Sequence, residues 1–406
     1  MGLALAAIVE LAALAVGAQP GPAVTFVVAA ALAVLAIVFV RRRPVAPEEK
    51  PGRADRAALW GAAVAVAVSA IVALSEPMWS NDFFAIWGFK GKTIFLAHAI
   101  PGRLFHDPAS AWSHPEYPLW LPAVFAALSA AIGRWDGQAL AVLFPVLQAT
   151  TAAALYGWGK RRFSASAGAV AALLAAAFFP LYQAYEVGMA ELPLTFGLVL
   201  FASAALDFGD AADRAAASRL ALSAFLAASV KQEGTLFVLL TGVVLAFRNL
   251  RLRRPALPVL SLTLAPAVLH ELLLTAFRGR IVDRDFDWTL ARPDRWAALF
   301  GRIGDAAGAL ARSSFVTTVI VILALAGFAL LARPAAGSPA LALLGPVLVV
   351  QGAVYLAVCG FSAFDPLWQV RYVPRLLRVL FPVLLLALLP RIAWVTRGKA
   401  DRVASR

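Results

Sequence analysis

Cysteine is almost absent from this chain: one residue, Cys359, in 406. A lone thiol excludes an intramolecular disulfide and any thiolate metal cluster. Lying inside an apolar run, it reads as a buried structural residue. Charge is scarce too, at 15% of residues, where a soluble domain carries about 25%. Length alone would allow two or three soluble domains, but this shortage of charge excludes them. No internal repeat is visible. The first residues, MGLALAAIVELAALAVGAQPGP, lack the basic n-region of a secretion signal and are interrupted by Glu10. They read as a first membrane helix rather than a cleaved leader.

What the chain has is apolar surface, 62% of its residues. It falls in runs near 2–17, 22–40, 57–75, 118–133, 138–158, 163–184, 191–207, 218–230, 233–247, 256–277, 313–332, 340–360 and 376–396. Runs of about 20 apolar residues separated by short charged loops mark a polytopic membrane protein. The expected fold is all-α: a transmembrane bundle of about 11–13 helices, with an outer loop carrying short amphipathic helices. The runs at 118–133, 218–230 and 233–247 are short enough to be tilted, paired or re-entrant. Residues 1–56 read as two helices and a cytoplasmic linker, 57–396 as one membrane domain with its first outer loop at 76–117, and 397–406 as a basic tail.

The net charge of +13 comes from 36 Lys and Arg against 23 Asp and Glu. It is concentrated in Arg41-Arg42-Arg43, Lys160-Arg161-Arg162, Arg248 to Arg254 and Arg397 to Arg406. Clusters at the ends of apolar runs mark cytoplasmic loops or meet lipid headgroups; nucleic acid is not the expected partner. With 41–56 placed inside, the outer loops are 76–117, 185–190, 231–234, 278–312 and 361–375. One conflict arises. If 118–133 and 138–158 both cross, Lys160-Arg161-Arg162 falls outside, so 118–133 is expected not to cross fully.

The outer loops carry the unusual polar residues: Asp82, Lys90 and Lys92; His114, Glu116 and Tyr117; Tyr185, Glu186 and Glu191; Lys231, Gln232 and Glu233; Arg278 to Asp287; and Asp365 to Arg375. Ionisable residues at the edge of a membrane domain are costly and mark function. A carboxylate there can take a proton from an attacking hydroxyl or amine, while Lys and Arg can hold a phosphate and stabilise it as it leaves. Group transfer from a lipid phosphate fits this set, and so does proton-coupled transport. Each residue also has a plainer reading. Asp82 would cap a helix, Glu191 would open one, and Lys231 would snorkel. Lys90 and Lys92 would touch headgroups on an amphipathic helix. His114 would be a structural residue beside proline. His98 and His106 read as interfacial, His270 as part of an apolar helix, and Arg278 to Asp287 as a solvated loop with internal ion pairs.

NDFFAIWGFKGKTIF (81–95), HPEYPLWLP (114–122), GMAELPLTF (188–196), VKQEGTLF (230–237) and DPLWQVRYVPRLLRVLFP (365–382) follow an order that resembles integral-membrane glycosyltransferases of the C-type superfamily (GT-C). Protein O-mannosyltransferases and lipid A aminoarabinose transferases are members. The resemblance runs from about 57 to 396. It implies an inverting transferase of the bacterial inner membrane, multi-pass, with its active site facing the periplasm. The donor would be a polyprenyl-phosphate sugar and the acceptor a glycan, lipid or protein. By this resemblance Asp82 is the general base and Glu191 the second acidic residue, where the family usually has Asp. Lys231 and Arg375 lie near the donor phosphate. From the residues themselves, Arg371 beside Arg375 is a further phosphate candidate, and His114, Glu116, Tyr117 and Lys90 are candidates for the donor or acceptor pocket. No cofactor is required by this scheme, although divalent ions serve some relatives; Gln369 stands where a metal-binding His is expected. The rival readings are a transporter or lipid-linked sugar flippase, and a scaffold subunit without activity.

Overall fold

The computed structural model describes residues 51–102, 104, 107–183, 187–210, 213–278, 287–312, 339–363 and 372–396. The apolar runs expected near 2–17, 22–40 and 313–332 lie outside these residues, as do the linker before residue 51 and the basic tail. Within them the chain is all-helical, with no strand. Helix is the outcome expected where lipid cannot satisfy a backbone N–H or C=O.

In chain order the helices are α1 (Arg53–Ser75), α2 (Gly88–Ala97), α3 (Trp120–Ile132), α4 (Leu143–Arg162), α5 (Ala165–Gln183), α6 (Glu191–Asp210), α7 (Arg214–Val230), α8 (Gln232–Arg251), α9 (Leu257–Arg278), α10 (Trp296–Arg312), α11 (Pro339–Phe361), α12 (Val373–Val379) and α13 (Phe381–Thr396). Among the described residues, five helical stretches are long and apolar enough to cross a membrane: Arg53–Ser75, Gly137–Arg162, Glu191–Asp210, Gln232–Arg251 and Ala342–Phe361. Helix α6 is the central post, with 83% of its apolar window buried. Helix α1 is peripheral, at 11%, and leaves Trp60, Val64, Val68 and Ile71 exposed. Apolar side chains on the outside of an apolar bundle are what contact with lipid requires.

The bundle has two chemically distinct ends. At one, Asp207 and Asp210 close α6. Asp207 Oδ1 accepts from Trp158 Nε1 at 3.1 Å and from Arg162 Nη2 at 2.8 Å. Asp210 pairs with Arg162 Nη1 at 2.9 Å and Arg248 Nη2 at 3.5 Å. The basic clusters that close α4 and α8 therefore meet at the foot of α6. The other end gathers the start of α6, the α7–α8 turn and α12. Twenty residues of α6 separate the two ends, roughly 30 Å at the helical rise.

Helix α3 resolves the topological conflict. It has 13 residues, roughly 20 Å, against a hydrocarbon core of about 30 Å. Gly133, at φ +81°, stops it by donating its N–H to Ala130 O and Ser129 O. The chain then makes one turn at Gly137–Leu140, capped by Asp136 Oδ1, which accepts from Gln138 N and Ala139 N. Gln138 Nε2 bonds Leu74 O at the end of α1, at 2.6 Å. Helix α4 thus starts at the end where α1 finishes, and Lys160-Arg161-Arg162 reaches the basic end. The run near 233–247 differs from expectation: it extends to Gln232–Arg251, long and apolar enough to cross, because Arg248 and Arg251 occupy helical turns that an apolar count leaves out. The run near 218–230 lies in the 17 residues of α7 and stays short of the roughly 20 that a span needs.

Candidate functional site

The loop after α1 enters a helical turn of unusual geometry. Over Phe83–Trp87 the helix is π-wound, and Gly88 N–H donates to Phe83 O, five residues back. Such turns are frequent at functional sites. Asp82 stands at its head, yet its side chain makes no cap. Instead Oδ2 lies 3.0 Å from Arg375 Nη1. The helix-cap reading of Asp82 gives way to a long-range ion pair.

Glu191 opens α6. Its approach is set by Gly188, at φ +99°, where a Cβ would lie 2.8 Å from Phe83 Cβ. Only glycine both adopts that backbone and leaves room for Phe83. The Glu191 side chain is 1% exposed. Its Oε1 receives Lys231 Nζ at 3.0 Å and lies 3.0 Å from Arg375 Nε. The arginine contact is one of charge rather than an aligned hydrogen bond, since among the described residues Nε is in hydrogen-bond geometry with no acceptor. The second oxygen, Oε2, is buried without a hydrogen-bond partner among the described residues. Lys231 sits between α7 and α8 and also reaches Glu233 Oε1 at 3.1 Å. Its side chain is 7% exposed, so the snorkelling reading is corrected: the ammonium is sealed between two carboxylates. Burial alone would lower its pKa, but Glu191 and Glu233 hold it well above the ordinary lysine value. Arg375, on α12, completes the cluster. Its guanidinium stacks over Tyr372, with Cζ 5.1 Å from the ring centroid, and Nη1 is 3.3 Å from Met189 Sδ.

A second cluster adjoins the first. Lys90 is fully buried, which corrects its reading as a headgroup contact; Lys92, two residues on, is the exposed one. Helix α2 presents Lys90 inward, where Nζ donates to His114 O and lies 5.9 Å from the Tyr117 centroid. His114 Nδ1 is 2.7 Å from Glu116 Oε1. The His114, Tyr117 and Trp87 rings stack in series, at 4.7 and 5.5 Å between centroids. Tyr117 lies near enough to act on the charge of Lys231.

The structure thus brings Asp82, Glu191, Lys231 and Arg375 into one cluster, with Lys90, His114, Glu116 and Tyr117 beside it. Arg371, Tyr185, Glu186, His106 and Asp365 to Gln369 lie outside the described residues, as does most of Arg278 to Asp287. His98 ends α2 in a left-handed conformation. His270 is buried in α9 against Phe225, 6.1 Å between rings. Among the described residues, no group of three or more His, Cys, Asp and Glu is placed to hold a metal ion.

Two members of the network were not anticipated. Gln351 Nε2, on α11, donates to Glu233 O at 3.0 Å and to Tyr355 Oη at 2.9 Å. A glutamine and a tyrosine four residues apart in VLVVQGAVYL are the signal that could have marked them, since that spacing puts both on one helix face. Compared with known protein families, with curated proteins and with solved structures, the chain matches none of them.

Proposed function

We propose that this is a membrane glycosyltransferase that transfers a sugar from a polyprenyl phosphate to an acceptor, with inversion, at the carboxylate–cation end of the bundle. The observation that carries the reading is the Asp82–Arg375–Glu191–Lys231 cluster, drawn from four separate parts of the chain and set at the end away from the basic loops. By the positive-inside rule that end faces the periplasm. The GT-C resemblance supplies the substrate class, and the arrangement supplies roles.

In this reading the acceptor hydroxyl oxygen attacks the anomeric carbon. The bond from that carbon to the phosphate oxygen breaks, and polyprenyl phosphate leaves with the electron pair. The acceptor proton passes to Asp82. The side chain of Asp82 is 22% exposed and oriented by Arg375, whereas Glu191 is sealed. Arg375, with Lys231 behind it, offers positive charge to the departing phosphate; Arg371 is proposed to join them. Lys231 also holds Glu191 and Glu233 in place. Lys90, His114, Glu116 and Tyr117 form the adjoining wall, and its stacked rings suit a sugar face. Glu233 is exposed to the same degree as Asp82, at 20%, so it is the carboxylate to test alongside.

The test is release of undecaprenyl phosphate from a panel of radiolabelled polyprenyl-phosphate sugars, by protein in lipid nanodiscs supplied with cell-envelope extract. Loss of general-base catalysis costs about 10²–10⁴ in rate. Asp82→Asn should lose release on that scale while still binding donor, and Glu233→Gln should keep most of it. Unchanged release by Asp82→Asn would remove Asp82 from the chemistry. Absence of release by the wild type, with labelled lipid crossing the bilayer, would establish the flippase reading instead.

A further inference from the structure

The polar network does not end at Lys231. It continues through Glu233 to Gln351 and Tyr355 on α11, both buried, at 0% and 3% exposure. The amide orientation of Gln351 is fixed by chemistry. The Glu233 carbonyl can only accept, so the atom 3.0 Å from it must be Nε2. That leaves Gln351 Oε1 pointing elsewhere, and it is buried without a partner among the described residues. Glu191 Oε2 is in the same condition. The network therefore holds two orphaned oxygens, joined by an unbroken chain of contacts: Gln351 to Glu233, Glu233 to Lys231, Lys231 to Glu191.

Glu191 has the Arg375 and Lys231 cations beside it, so the acceptor with no donor at hand is Gln351 Oε1. A buried acceptor without a donor costs about 1–3 kcal/mol, and retaining this one calls for a ligand that donates. A phosphate at neutral pH offers mainly acceptor oxygens, and an isoprenoid chain offers none of either kind. A sugar ring offers several O–H donors. We infer that Gln351 Oε1 receives a hydroxyl group of the transferred sugar, and that Gln351 is a specificity-determining residue of the donor site. This rests on the transferase reading above. It turns a hydroxyl of the sugar toward α11, while the anomeric carbon and the phosphate stay with Asp82 and Arg375. Tyr355 braces Gln351 from one turn along the same helix and so acts as a positioning residue.

The experiment measures binding of two lipids to nanodisc-embedded protein: a polyprenyl-phosphate sugar, and polyprenyl phosphate alone. Wild type should prefer the sugar-bearing lipid. Gln351→Met keeps the side-chain length and removes the amide. It should cut that preference by about fivefold, the worth of one neutral hydrogen bond, and leave binding of the sugar-free lipid unchanged. Donors that each lack one hydroxyl provide a measurement that does not depend on the variant folding: removing the hydroxyl that meets Gln351 should weaken wild-type binding by the same factor, with no further loss in Gln351→Met. Wild type that binds both lipids equally, or a deoxy series with no weak member, would overturn the inference and leave the transferase reading standing; ordered water would then be the donor to Gln351 Oε1. Wild type that binds neither lipid would overturn the transferase reading and the inference with it.

Discussion

Lys231 shows how much one side chain can determine here. Both of its ion-pair partners are carboxylates on other helices' first turns, and one of them, Glu191, is sealed from water. Removing one member of a buried charge set leaves the others uncompensated, at about 3–5 kcal/mol. Lys231→Met should therefore lower the apparent melting temperature in detergent sharply, and Lys231→Met with Glu191→Leu should recover part of the loss. The pH dependence has a definite sign. Folding raises the Lys231 pKa, so its contribution is complete at every pH below the ordinary lysine value of about 10.4. It fades only as pH climbs toward the higher folded value. The gap in thermal stability between wild type and Lys231→Met should stay constant from pH 6 to 10; a gap that closes within that window would show that Lys231 is not held by these carboxylates.

At the scale of elements, the α7–α8 turn is set by a close approach. A Cβ on Gly234 would lie 1.9 Å from Ala227 O and 2.7 Å from its carbonyl carbon, a distance no side chain adjustment relieves. Gly234→Ala should part the two helices at the turn that carries Lys231. It is expected to cost about 1–3 kcal/mol or more and to reduce undecaprenyl phosphate release, whereas Gly301→Ala, with nothing within 4 Å of its Cβ, should do neither. The helices themselves were largely legible in the sequence: the apolar runs near 57–75, 163–184, 256–277 and 340–360 lie close to α1, α5, α9 and α11. Their charged ends were less so, because Arg248 and Arg251 continue α8 beyond its apolar stretch. Of the cluster, Asp82, Glu191, Lys231 and Arg375 stood out as polar residues beside aromatics and prolines. Their pairing did not, since contacts between distant helices leave no local pattern. The inward turn of Lys90 was hidden for the same reason: Lys90 and Lys92 look alike in FKGKT, and only the packing of α2 on α3 separates them. Gln351 escaped notice as a single polar residue in an apolar run.

The whole molecule has a charge-paired end and an arginine-rich end, separated by the length of α6, and this polarity can be read directly. Cys359 is 1% exposed, so Cys359→Ser gives a thiol-free background at little cost in surface. In it, Lys92→Cys and Arg251→Cys place a thiol at exposed positions on either end. A membrane-impermeant maleimide should label Lys92→Cys in right-side-out vesicles and Arg251→Cys only in inverted ones. Labelling of both from one side would contradict the two-ended arrangement in the membrane. The Asp82–Arg375 pair carries a further consequence, for biosynthesis. These residues lie near opposite ends of the described chain, and translation at 5–20 residues per second delivers the arginine roughly 15 to 60 seconds after the aspartate. Once Glu233 has been made, and until Arg375 follows, the nascent protein holds Asp82, Glu191 and Glu233 with Lys231 as the one cation of the cluster. Arrival of α12 and the final helix supplies the missing positive charge. A ribosome stalled before Arg375 would thus leave an intermediate in the membrane whose clustered carboxylates outnumber their cations.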